Sequence, residues 1–303
     1  MMECQKISSK RSIFLEVELE TKFRRDGYVV VPLLDAETVR KLTKLHDAQV
    51  PNVPADHFFS TSCSELVRQK VFNGILECVE APLKKVVQGY RIRSNCFVAK
   101  RAKGAKGHLA LHRDPAFVDT SMYTAVHVWC PLVDVDERNG CVKVVAGSHE
   151  LTNHISTLPF NPTPWDSLQK VLERECLTSV PMAAGHALIY DGRLLHASGP
   201  NTSNQLRIAT SSVLVPEELL PRIYVTDPTE ANVLRILEIT DEMFAQGSYL
   251  AACGSIPYPA GMNHIGSLEY KITPLQLEEI EWLRSSKTST WRNTFAQLLR
   301  KVT

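Results

Sequence analysis

The chain has 303 residues, enough to bury a substantial core in one large domain or two smaller ones. Its 34 lysines and arginines against 33 acidic residues leave a net charge of +1, which gives no global field to gather nucleic acid or an anionic membrane and points to a small-molecule substrate. Eight cysteines without a CxxC pair are too sparse for a disulfide scaffold and are expected as reduced, mostly buried thiols.

Met1 to Thr21 mixes Lys6, Lys10 and Arg11 with Glu3, Glu16 and Glu18 and lacks the apolar stretch of a secretory signal. No segment approaches the roughly 18 consecutive apolar residues of a membrane span. The expectation is a cytoplasmic monomer or homodimer that touches neither membrane nor nucleic acid. Gly27 to Leu34 then has the β-branched richness of a strand, and Asp35 offers an N-cap to an apolar spacing through Val39, Leu42 and Leu45. So the chain opens strand, then helix, with helical additions over 35–90.

From about Arg91 to Val215 the texture changes to short β-rich runs separated by Gly, Pro, Asn and Asp, among them Thr124 to Val135, Gly140 to Val145, Ala187 to Tyr190 and Leu206 to Val215. That spacing predicts a β-sandwich or jelly roll. Asp227-Pro228-Thr229-Glu230 and Thr273-Pro274-Leu275-Gln276 each place a capping residue before a first-turn Pro, so further helices are expected over 227–303. No repeat, low-complexity tract or Ser/Gly linker marks a boundary. The chain reads as a single domain over 1–303, mainly β with flanking helices.

Three features carry chemistry. In Leu111-His112-Arg113-Asp114-Pro115, residues i and i+2 of an extended strand point the same way, so an imidazole and a carboxylate can reach one ion. His-x-Asp alone is weak evidence. His196 sits where a strand-like run meets the turn-forming cluster Ser198-Gly199-Pro200-Asn201, and Arg207 follows in the apolar strand pattern Leu206-Arg207-Ile208-Ala209. A buried arginine needs an anion. Two imidazoles and one carboxylate on one face of iron leave adjacent positions open, which a 2-oxoglutarate molecule and oxygen fill, while Arg207 grips the remote carboxylate. Zinc accepts the same ligands, but a hydrolytic site has no evident use for the arginine.

In this series the chain resembles the phytanoyl-CoA dioxygenase-like oxygenases. The resemblance covers roughly Phe23 to Val215 and runs through Phe23 to Val31, His112-Arg113-Asp114, Trp129, Asn139-Gly140-Cys141, Ala146-Gly147-Ser148-His149, Gly185, His196 to Asn201 and Arg207. It implies a double-stranded β-helix (jelly-roll, cupin-like) core and iron(II) ligation by His112, Asp114 and His196. It also implies a 2-oxoglutarate salt bridge from Arg207 with Ser198 beside it, and Trp129 lining the cosubstrate pocket. Ascorbate is the accessory reductant such chemistry uses. The family often has Pro where this chain has Ala146, and an acidic residue where it has His186; neither position holds metal. His149 reads as turn architecture, and His108 and His127 stay off the ligand list.

The implied reaction is oxidation of a C–H bond of a small organic molecule, coupled to conversion of 2-oxoglutarate and oxygen to succinate and carbon dioxide. Hydroxylation comes first, with desaturation, ring closure and epimerisation from the same start, and secondary metabolism as the setting. Halogenation is disfavoured because Asp114 is present. The alternative is a non-catalytic jelly roll that binds a ligand or protein without turnover. The C-terminus Arg300-Lys301-Val302-Thr303 lacks a peroxisomal Ser-Lys-Leu type signal. The pocket wall is expected from loops at Asp47 to Ser64, Ile155 to Leu177 and Gly247 to Gly266. The basic run Lys100 to Gly107 is either a solvated loop or a grip for an anionic substrate. Arg91 and Arg93 share a strand face, toward the pocket or toward solvent, and Arg93 and Lys100 stand next after Arg207 as carboxylate holders.

Overall fold

The structure, a computed structural model, describes residues 11–151, 154–158, 162–252 and 257–284. It opens on a helix that the sequence reading omits. α1 (Val17–Asp26) buries only Phe23 and is otherwise mostly charged, so its apolar face is as short as Leu19 and Phe23, four residues apart. Gly27, at φ 81°, ends α1, and the chain turns at once into β1 (Tyr28–Pro32). Asp35 caps α2 (Ala36–Gln49) by accepting from the Thr38 amide at 2.8 Å, as the spacing predicts. β2 (His57–Phe59) and α3 (Glu65–Lys84) follow, so the predicted helical stretch 35–90 also contains one short strand.

The predicted β region is β3 (Tyr90–Lys100), β4 (Leu109–His112), β5 (Val126–Pro131), β6 (Val142–Val144), a helix α4 (Gln169–Glu175), β7 (Thr178–Ser179), β8 (His186–Asp191), β9 (His196–Ser198) and β10 (Arg207–Pro216). The strands form two antiparallel sheets, ordered β1-β8-β5-β10-β3-β2 and β4-β9-β6-β7. β5 is buried at every residue, because the larger sheet is covered on both faces. One face packs Val29, Phe97, Val126 and Ile189 against Leu42 and Ile75 of the helices; the other packs Trp129 and Leu188 against Val142 and Val144 of the smaller sheet. This is the expected jelly roll.

The helical addition expected over 227–303 is corrected in its first half. The Asp227 carboxylate accepts from the Thr229 and Glu230 amides and closes the turn between β11 (Arg222–Thr226) and β12 (Val233–Ile239). A carboxylate that binds amides two and three residues on serves a turn as well as a helix cap, and the β-branched residues of Val233 to Ile239 decide for strand. β13 (Met262–Glu269) completes a side sheet, β11-β12-β13, which encloses the short helices α5 (Asp241–Ala245) and α6 (Tyr249–Ala252) in the chain. The later signal does precede a helix, at 277–284, but Gln276 is the cap: its amide donates to Glu279 at 2.8 Å. The rest of the predicted addition, 285–303, lies outside the described residues, as do Cys4, Cys253 and Arg300 to Thr303. Cys63, Cys78, Cys96, Cys130 and Cys141 are free thiols, all but Cys63 buried. Among the described residues no helix is long and apolar enough to cross a membrane.

Candidate active site

β4 and β9 pair with His112 directly opposite His196, and cross-strand partners face the same side of a sheet. The two imidazole rings lie 4.1 Å apart. Each Nε2 is 3.8 Å from an oxygen of Asp114, and the ligand atoms of all three side chains fall within 4.8 Å of one another. The far nitrogens are tied down: His112 Nδ1 lies 2.8 Å from the Ala110 carbonyl and His196 Nδ1 3.0 Å from that of Leu194. A carbonyl only accepts, so each Nδ1 carries the hydrogen and each Nε2 offers its lone pair to the common point. Burial, and then His112, pushes His196 down to about 4, so its ring is neutral at pH 7.

Asp114 lies beyond the end of β4, and its placement comes from elsewhere than strand periodicity. Its amide donates to the Gly192 carbonyl at 3.1 Å. Its Oδ2 accepts from the Tyr190 hydroxyl at 2.8 Å and from His127 Nδ1 at 3.0 Å, a cross-strand pair on β8 and β5 that reaches from the larger sheet to the smaller one. Burial alone would raise this carboxyl, but His127, His196 and His112 outweigh it and hold it well below the usual carboxylate range. The donor set, two lone-pair imidazoles and an ionised carboxylate with one oxygen already engaged, fits a divalent iron held on one face.

The opposite end of the cavity is cationic. Arg207 and Lys100 are direct partners across β10 and β3, and both are buried, at 2% and 0% exposure. Like charges in register destabilise a sheet, yet no carboxylate pairs with either among the described residues. Lys100 Nζ donates to Ser198 Oγ at 2.6 Å and to the Gly199 carbonyl. Burial, followed by the Arg207 charge, pulls Lys100 down to about 7. The Arg207 guanidinium lies 5.3 Å from the Trp129 ring, with Nε and Nη1 unpartnered. These orphaned donors fit a carboxylate approaching from the cavity. Gly140, at φ 79°, makes room for the arrangement: a Cβ there would lie 2.6 Å from the Gly199 oxygen and 3.1 Å from Lys100 Cδ.

A cavity of about 440 Å³ joins the two ends, and His112, Asp114, His196, Trp129, Ser198 and Arg207 all line it. The three predicted wall loops contribute Phe59, Leu158 and Tyr249 respectively. Sequence reasoning missed Phe117, left out His127, and placed Lys100 at the start of a basic loop while naming it, with Arg93, as a carboxylate holder next after Arg207. The signal for Lys100 was its place at the end of the apolar run Cys96 to Ala99. The remainder of the basic run faces out, with Arg101 paired to Asp56 at 2.7 Å. Arg91 and Arg93 both pair with Asp241 and do not line the cavity. His149 is turn architecture: its Nε2 meets the Arg24 carbonyl, while its neighbour Ser148 accepts from the Leu195 amide at 2.8 Å and braces the approach to His196.

The phytanoyl-CoA dioxygenase family model matches residues 34–209 of the chain. Phytanoyl-CoA dioxygenase domain-containing protein 1 of Danio rerio is 23% identical over 163 residues, which cover 52% of this chain; the match spans only about half of that relative, 48%. Among solved structures, the non-heme alpha ketoglutarate dependent carbocyclase SnoK of nogalamycin biosynthesis is 19% identical, at a TM-score of 0.52 over 69% of this chain and 86% of its own. The epimerase SnoN, in complex with Fe3+, alpha ketoglutarate and nogalamycin RO, is 21% identical, at a TM-score of 0.51 over 86% of this chain and 94% of its own. At these identities the two structures speak for the fold.

Proposed function

The chain belongs to the phytanoyl-CoA dioxygenase family, and from that premise we infer that it is an iron(II)- and 2-oxoglutarate-dependent oxygenase that oxidises a C–H bond of a small organic molecule. The observation that supports this most is the pairing, in one cavity, of a convergent His-Asp-His donor set with Arg207, a buried cation that lacks an anion, backed by Lys100 behind the lining residue Ser198. His112, Asp114 and His196 would hold the iron, and Arg207 the remote carboxylate of 2-oxoglutarate. Bound together, iron and cosubstrate supply the oxidising chemistry, with oxygen consumed and succinate and carbon dioxide released.

The chain's own residues orient and protect. Because Lys100 donates to Ser198 Oγ, the serine hydrogen is left to donate to the carboxylate, so lysine, serine and arginine form one cradle. Trp129 packs on the guanidinium and keeps its fork in place. Tyr190 and His127 fix the rotamer of Asp114 and engage its Oδ2, leaving Oδ1 toward His112. Hydroxylation is the first outcome of this arrangement, with desaturation, cyclisation and epimerisation sharing its requirements. Natural-product metabolism is the setting we favour, since SnoK and SnoN serve nogalamycin biosynthesis and share the fold.

The test is anaerobic titration of the iron(II) protein with 2-oxoglutarate, followed by the visible charge-transfer band of the chelate, and then succinate release on admitting oxygen with ascorbate present. The reading requires both signals in the wild type. A protein that binds iron yet gives neither the band nor succinate is a non-catalytic jelly roll.

A further inference from the structure

Once iron occupies the His-Asp-His end and 2-oxoglutarate the cationic end, the remaining cavity wall has a chemistry of its own. It is built by loops hung from the side sheet, together with residues of β2 and β10. The Arg222 amide donates to the Phe117 carbonyl at 2.9 Å, and the Leu158 amide to that of Tyr224, also at 2.9 Å, so β11 carries both loops into the pocket. Phe117 meets Phe244 edge-on at 4.8 Å, and Phe244 stacks on Tyr249 at 5.0 Å with their planes 12° apart. Phe117 and Tyr249 themselves stand 6.1 Å apart with their planes at 84°, so the interlocked rings make a stiff apolar corner. Val213 and Leu158 extend it, and Phe59 and Leu250, 39% and 45% exposed, carry it out to the mouth.

Asp114 and Arg207 are the only acidic or basic side chains, histidines aside, among the described residues that line this cavity. Both already have work. His57 is neutral, because burial and the charges of Lys100 and Arg207 push it down to about 3. The polar groups left are the hydroxyls of Thr61, Ser62, Ser94, Ser211 and Tyr249, the Cys96 thiol, and Nε2 of His127, the ring that holds Asp114 through its Nδ1. A carboxylate, phosphate or ammonium placed against this wall would be buried without a partner, and an unpaired buried charge weakens binding on the order of a hundredfold or more. Hydroxyl and carbonyl groups meet no such barrier.

We propose that the substrate presents to the iron a neutral, oxygenated, rigid ring system that stacks on one of Phe117 and Tyr249 and meets the other edge-on, with any charged group left outside the mouth. This rests on the cosubstrate reading above. It disfavours free acids and amines that would bury their charge, and it disfavours long acyl chains, for which a stiff aromatic wall offers less contact than a rigid ring.

The experiment is calorimetric titration of the protein loaded with nickel(II) and 2-oxoglutarate, with nickel preventing turnover and loading checked first by cosubstrate titration. The probes are 2-acetylnaphthalene, 2-naphthoate, 2-naphthylmethylammonium and 2-dodecanone, a neutral chain with the carbon count of the first probe. The neutral naphthalene should bind at least tenfold tighter than each of the other three. Leu158→Lys should bring naphthoate to at least the affinity of the neutral probe without changing 2-oxoglutarate binding; should that variant not fold, the wild-type order decides. Failure to load sinks the cosubstrate assignment and this inference with it. Normal loading, followed by equal or tighter binding of a charged probe or the chain, or by no binding of acetylnaphthalene, overturns the inference alone.

Discussion

Lys100→Met should make the ligand-free protein more stable and its grip on 2-oxoglutarate weaker. Burial, with Arg207 directly opposite, brings Lys100 from 10.5 down to about 7. That difference, about 3.5 pH units at about 1.4 kcal/mol each, sets an adverse term on the order of 5 kcal/mol for the charged lysine in the folded state. The bonds to Ser198 and Gly199, lost in the variant, offset roughly 2–3 kcal/mol of it. Net stabilisation of about 2 kcal/mol is expected, a rise of several degrees in Tm. The sign follows the proton: the penalty is complete below pH 7 and fades as pH rises toward 10.5, because there the unfolded chain binds more protons than the folded one. The gain should therefore be largest at pH 6, reach zero at about pH 9, where the fading penalty meets the lost bonds, and turn into a loss by pH 10. Loss of one of two cations should weaken 2-oxoglutarate by roughly 10- to 100-fold. Wild-type affinity should also decline above pH 7, as Lys100 must take up a proton to meet the anion, whereas the variant's should be flat. Thermal melts and anaerobic chelate titrations across pH measure both. A variant that loses stability and keeps wild-type 2-oxoglutarate affinity would refute the reasoning and make Lys100 a structural residue.

Arg207→Ala should weaken 2-oxoglutarate by about 2–5 kcal/mol in the same titration, with Arg207→Lys intermediate because the charge remains but the planar fork is lost; unchanged affinity in the Ala variant would move the carboxylate elsewhere. Asp114→Ala should keep the far-UV spectrum and melting of a folded jelly roll but lose iron(II) binding and succinate formation, and full activity would end the facial-triad assignment. Tyr190→Phe removes one donor to Asp114 Oδ2, so iron(II) affinity should drop by roughly 10-fold with little change in Tm, read by competition with a chelator. Gly140→Ala must push the Gly199 carbonyl aside and hold a Cβ at φ 79°, so urea unfolding should show a loss of about 1–3 kcal/mol.

The framework was legible where local chemistry and tertiary demand coincide. Asp35 caps α2, the four β runs between 124 and 215 became β5, β6, β8 and β10, and the order His112, Asp114, His196, Arg207 along the chain was enough to anticipate their convergence. What escaped depends on partners distant in sequence. α1 is mostly solvent-facing, and only Leu19 and Phe23 mark its inner face. Asp227 offers the same first bonds to a turn and to a helix. Lys100 looks like a loop residue until β10 brings Arg207 opposite it, and the use of His127 depends on Tyr190 pairing beside it across β5 and β8. Such relations belong to register, and register is written in no single segment.

The side sheet has one more consequence. Among the described residues it shares no strand pairing with either sheet of the jelly roll, while Phe117 and Leu158 hang from β11 and the metal and cation ends stand on β4, β9 and β10. Substitutions that accumulate in β11, β12 or α6 can reshape what the protein recognises without disturbing the histidines. Descendants of one such gene could therefore part ways in selectivity by drift in this region, and a laboratory exchange of 217–270 between relatives would move Tyr249 and Leu250 together with the strand that supports Phe117 and Leu158.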